Sequence, residues 1–171
     1  MEVRLAGEQH IEVHKFHAGV VTSSVILALM LEAFLPLHLN WAAALDLPLL
    51  VTIYFALSRR NPSAGLLLGM VIGIAQDSLS HTPLGLYGIS KTIVGFVASS
   101  IGSRLDVEHP LARCFLTFAF FHLHNFVFVF ISRLLLARPE PYLETRTVVA
   151  SLVSALLSVA LFPLLDRFRK S

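Results

Sequence analysis

The chain has 171 residues, of which 56% are hydrophobic and 14% charged, with a formal net charge of +2. Typical soluble domains carry roughly 25% charged residues; this chain has too few to cover a water-facing surface, and its mean hydropathy of +0.75 points to lipid around much of its exterior. The small positive charge does not indicate nucleic acid, because no Lys/Arg cluster exceeds Arg167, Arg169 and Lys170, and basic membrane loops account for the sign.

Residues 1–17 form an N-terminal arm mixing Glu2, Arg4, Glu8, Glu12 and Lys15 with His10, His14 and His17. The histidines have helical spacing, but no carboxylate or cysteine completes a metal site, and a solvated arm is expected. The apolar stretch that follows lacks a clear cleavage site and is long enough to stay as a signal anchor.

A membrane-crossing helix needs about 20 largely apolar residues. Six such segments are expected, at about 18–37, 41–57, 64–79, 84–102, 111–136 and 147–165. The transmembrane domain then covers residues 18–166, and residues 167–171 form a basic tail. The second and third are the weakest: the second contains Asp46 and Pro48, and the third is short and glycine-rich. Four spans with a re-entrant hairpin is the other count. The fold class is therefore all-α, a polytopic membrane helix bundle.

Orientation follows from basic residues. With the N-terminus inside, the inner segments hold Arg4, Lys15, Arg59, Arg60, Arg104, Arg113 and the C-terminal cluster, while the outer side holds Arg133, Arg138 and Arg146. Both termini are expected to be cytoplasmic, with Trp41 at the outer interface. Cys114, the only cysteine, sits in an apolar run and reads as a small hydrophobe.

Ionisable groups inside hydrocarbon need a partner or a purpose. Four fall within the spans, all in the outer half: Glu32, Asp46, Asp77 and Lys91. Asp77 and Lys91 lie on the helices flanking the turn at residues 80–83, and a snorkelling lysine could bridge them; this is the expected ion pair. Glu32 and Asp46 either reach interfacial water or join Asp77 and Lys91 in an intramembrane polar cluster. Gly65, Gly69 and Gly73 place a stripe on one face of the third helix, where another backbone can approach closely. Gly88, Gly95, Ser99 and Gly102 make a looser small-residue face on the fourth, and Ser151, Ser154 and Ser158 do so on the sixth. These faces suit packing within the bundle or docking of a foreign helix. His122 and His124 face different directions on one helix and, with Asn125, are expected to bond to neighbouring helices. No P-loop, Gly-x-Ser-x-Gly or His-Glu-x-x-His motif is present, so no catalytic residue, cofactor or metal is expected.

Three runs go further: DLPLLVTIYFALSRR at 46–60, GLLLGMVIGIAQDSL at 65–79 and PLGLYGISKTIVGF at 83–96. A proline-led apolar span, a basic turn, glycines every four residues, an aspartate at a helix end and a Leu-Gly pair after the turn together resemble the core of the rod shape-determining protein family MreD. The matching residues are Pro48, Arg59, Gly65, Gly69, Gly73, Asp77, Leu84, Gly85 and Gly95. The chain departs from the pattern at Leu49, where the family often has an acid or amide, and at Lys91, where a neutral residue is expected.

The resemblance implies a non-enzymatic inner-membrane component of the bacterial elongation machinery. It would bind the single-span protein MreC and help to connect MreB to the peptidoglycan synthases, RodA and its transpeptidase. It also implies a bundle similar to the S-component of ECF-type vitamin transporters, so a vitamin-binding subunit is the alternative. On the scaffold reading, the glycine-lined helices and the outer polar cluster hold a groove for the partner's transmembrane and juxtamembrane segments.

Overall fold

The computed structural model describes residues 17–38, 45–80, 82–104, 109–137 and 144–168. They form six helices: α1 (Ala18–His38), α2 (Leu47–Arg59), α3 (Pro62–Leu79), α4 (Leu86–Gly102), α5 (Pro110–Leu136) and α6 (Thr145–Asp166). The arm histidines His10 and His14, Trp41, Arg138 and the tail at 169–171 lie outside the described residues. Helices α1, α3, α5 and α6 are long and apolar enough to cross a membrane; α2 and α4 are shorter apolar helices.

Local chemistry sets the helix starts. Asp46 caps α2, its Oδ1 accepting from the Leu49 N–H at 2.8 Å, and Pro48 fills a first-turn position where no backbone donor is needed. Helix α2 therefore begins at Leu47, an aspartate two residues before a proline being a helix-start signal that hydropathy overlooks. Asn61 caps α3 in the same way, with Pro62 behind it, and Arg60 turns the corner in the left-handed region at φ +53°. His109 caps α5 ahead of Pro110.

Helix α2 is the axis of the bundle. It touches all five other helices, and every residue from Pro48 to Ser58 is buried. At 1.5 Å per residue its thirteen residues extend only about 20 Å, short of the roughly 30 Å hydrocarbon layer. Its short length is tolerable because protein, not lipid, surrounds it. The other helices follow one another around α2 in the order α1, α3, α4, α5, α6. Among the described residues the backbones of α1 and α6 do not approach each other as the other neighbouring helices do, so this arc is open on one side.

Helices α3 and α4 make the tightest contact. A Cβ added at Gly69 would lie 2.1 Å from the Lys91 carbonyl oxygen, and one at Gly95 would lie 2.2 Å from the Gly65 carbonyl. Backbones this close admit only glycine at the crossing. The glycine stripe of α3 thus faces α4 within the molecule. Gly85 serves differently: at φ +106° it turns the chain into α4, with open space where a side chain would be. Ser151, Ser154 and Ser158 are fully buried on α6.

Candidate functional site

Two hollows lie along the open side of the arc. Toward the ends of the helices that carry Glu32 and Arg146 there is a polar cleft of about 200 Å³. It is lined by Glu32, Leu45, Asp46, Tyr87, Phe121, His124, Asn125, Phe128, Arg146, Thr147 and Ala150. Farther along there is an apolar crevice of about 320 Å³, with Val20, Ser23, Ser24, Leu27, Ala28 and Leu31 on one wall. Leu161, Leu164, Leu165 and Phe168 form the other wall, and Leu47 and Val51 form the floor. The linings adjoin at Leu31–Glu32 on α1 and at Asp46–Leu47 on α2. The open side is therefore polar at one end and greasy along the rest.

The cleft is organised by Asp46. Its Oδ1 is used in capping α2, while Oδ2 forms an ion pair with Lys91 Nζ and lies 3.8 Å from His124 Nε2. Lys91 is fully buried, and its ammonium sits 5.2 Å from the centroid of the Tyr87 ring, a favourable cation–π position. Tyr87 in turn stacks on His124 at 5.8 Å and packs on Phe128 at 4.9 Å. Beside this group, Gln76 Nε2 donates to Glu32 Oε1 at 2.5 Å, tying α3 to α1. Three buried polar atoms in this region have no hydrogen-bond partner: Glu32 Oε2, Gln76 Oε1 and His124 Nε2. Bare polar atoms in a bilayer-embedded bundle are costly.

At the opposite end of the bundle a second network holds α2, α5 and α6 together. Asp166 accepts from the Tyr54 hydroxyl at 2.8 Å and from Arg113 Nη1 at 2.6 Å. The network closes one end of the core and borders neither hollow.

The sequence model of the MreD family, described as rod shape-determining protein MreD, matches residues 14–171, nearly the whole chain. The chain belongs to the MreD family. Compared with the curated proteins, and with the solved structures, it finds no match. MreD membership and four span-length apolar helices make it a multi-pass membrane protein of a shape-determining family.

In this MreD-family chain the predicted polar residues divide into two groups. Glu32, Asp46 and Lys91 come together at the cleft; Asp77 does not. The expected Asp77–Lys91 pair is replaced by Asp46–Lys91. Asp77 instead accepts from four donors around the turn: Thr82 Oγ1 at 3.0 Å and the backbone N–H groups of Gly85, Tyr87 and Gly88 at 2.9, 3.0 and 3.1 Å. The physical reason is proximity to the start of α4. The first N–H groups of a helix lack intrahelical acceptors and carry partial positive charge, so they capture the nearest carboxylate. Glu32 bonds to Gln76 and Asp46 to Lys91, and both line the cleft.

Of the glycines, Gly65, Gly69, Gly73 and Gly95 pack at the α3–α4 crossing and Gly85 lies in the turn; none lines either hollow. Gln76, Tyr87, Phe128 and Arg146 were not visible as site residues in the sequence. Gln76 was the one with a signal, a polar side chain next to Asp77 on an otherwise apolar helix. His124 and Asn125 were marked as polar residues facing neighbours, and both line the cleft.

Proposed function

We propose that this protein is a non-enzymatic scaffold of the bacterial elongation machinery in the inner membrane, with both termini cytoplasmic. On this reading it seats the single transmembrane helix of MreC between α1 and α6. The observation that carries the reading is the open arc. Five helices wrap α2, but the backbones of α1 and α6 stay apart among the described residues, and the crevice between them is lined by apolar side chains along much of its length. Small residues Ser23, Ser24 and Ala28 on α1 let another helix approach closely there. Through MreC the protein would help couple MreB to RodA and its transpeptidase, supporting rod shape and lateral peptidoglycan synthesis.

A vitamin-binding transporter subunit is the competing reading. Small-molecule pockets usually enclose about 300–1,000 Å³. The polar cleft, at about 200 Å³, falls below that range, and the crevice of about 320 Å³ is at its lower edge but lined almost wholly by apolar side chains, with few polar groups to orient a vitamin.

The test is co-purification of the detergent-solubilised chain with MreC. Ser24→Trp, filling the crevice, should abolish capture, whereas Leu67→Trp on the exposed face of α3 should not. Full capture by a monodisperse Ser24→Trp protein rejects docking in the gap.

A further inference from the structure

The cleft at the polar end of the gap has a chemistry that the docking of an apolar helix does not use. Its one buried cation, Lys91, is already committed to Asp46. The carboxyl of Glu32 keeps Oε2 without a partner, although Oε1 is bonded to Gln76. His124, only 6% exposed and lining the cleft, keeps Nε2 without a hydrogen bond, since Asp46 at 3.8 Å is out of reach. Tyr87, Phe121 and Phe128 add aromatic walls. A carboxyl oxygen and an imidazole nitrogen, both buried and without hydrogen-bond partners, lie beside a second carboxylate and between aromatic rings, a setting suited to an organic cation.

We propose that this cleft receives one basic side chain, Lys or Arg, carried by the docked helix at the outer end of its span. The inference rests on the docking reading above and names the chemistry of the partner at that site. A partner side chain fits better than a free ligand because the lining of the cleft adjoins that of the apolar crevice at Leu31–Glu32 and Asp46–Leu47, where the docked segment would lie. The incoming cation donates to Glu32 Oε2 and lies beside the His124 ring. Arg146, exposed on the first turn of α6, also lines the cleft, while Glu32 is the carboxyl there that has no cationic partner among the described residues. Basic residues are normally enriched at the cytoplasmic ends of spans, so one at the outer end of the partner's span would be a distinctive mark.

The experiment uses the full chain and purified full-length MreC, and pairs charge reversal with the crevice variant. Glu32→Gln and Glu32→Lys are made, and each Lys or Arg near the outer end of the partner's span is changed singly to Glu. The expected result is that Glu32→Lys weakens capture by about thirtyfold or more, that Glu32→Gln weakens it less, and that one partner Lys→Glu or Arg→Glu change restores binding to Glu32→Lys. Monodisperse elution of Glu32→Gln keeps the outcome separate from misfolding. If Ser24→Trp abolishes capture but both Glu32 variants bind normally, or if no partner reversal restores Glu32→Lys, the cation site is overturned while docking in the gap stands. If Ser24→Trp also binds normally, the docking reading falls and this inference falls with it.

Discussion

Lys91 on α4 holds the carboxylate of Asp46 at the head of α2, joining the two shorter helices of the bundle. At their other ends the same two helices approach so closely that a Cβ at Gly102 would lie 2.5 Å from the Leu57 carbonyl oxygen. The central helix is thus clamped to α4 at both ends, by charge at one and by backbone proximity at the other.

Removing the lysine should be more damaging than removing the pair. Lys91→Met leaves a buried carboxylate without its counterion, a change that typically costs about 3–5 kcal/mol. The double variant Lys91→Met with Asp46→Asn removes both charges and keeps a cap for α2. Heating followed by size-exclusion in detergent should show the single Lys91→Met variant melting well below the double. Equal melting of the two would mean that the ion pair is not coupled in the folded protein.

The α3–α4 crossing should reject any larger side chain. Gly69→Leu forces apart backbones that are in contact, whereas Gly19→Leu meets open space. The folded, monodisperse fraction should collapse for the first and stay at the parental level for the second. A well-behaved Gly69→Leu protein would contradict the close approach.

Asp77 should behave as a turn organiser. Asp77→Ala strips four donors of their acceptor and should cost about 2–3 kcal/mol. Asp77→Asn keeps one acceptor oxygen and should fall between Ala and the parent in thermal stability. An Asn variant as damaged as Ala would show that the carboxylate's charge, not its accepting oxygens, is what the turn requires.

Topology is open to direct measurement. In a Cys114→Ser background, single cysteines at Leu84 and Glu144 should react with an impermeant thiol reagent added to spheroplasts. Cysteines at Asn61 and Arg104 should react only after lysis. The reverse pattern would invert the assigned orientation and move the cleft to the cytoplasmic side.

Hydropathy read the long helices closely. The expected spans 18–37 and 111–136 correspond to Ala18–His38 and Pro110–Leu136, because an apolar run bounded by polar residues leaves little freedom in where a helix can end. At α2 the apolar run extends past the capping residue Asp46, so hydropathy alone does not mark where the helix starts. Pairing was the harder problem. Depth along the helix axis put Asp77 and Lys91 within reach, but the direction in which each side chain leaves its helix decided the partner, and that depends on how the helices pack. The same holds for the cleft: His124 and Glu32 are far apart in sequence and meet only because five helices curve around one. The glycine stripe was legible as a packing face, while the opening between α1 and α6 had no signature in the sequence, since a gap is defined by a contact that is not made.

The enclosure of α2 has a consequence for biogenesis. A thirteen-residue segment headed by an aspartate is a poor substrate for release from the translocon into lipid on its own, since it is too short to span the bilayer and carries a charge at its leading edge. Its stable integration therefore depends on α3 and α4 following it, with Lys91 neutralising the charge and the α3–α4 hairpin supplying the sheath. A ribosome stalled before Lys91 emerges should leave the nascent chain with α2 not stably integrated.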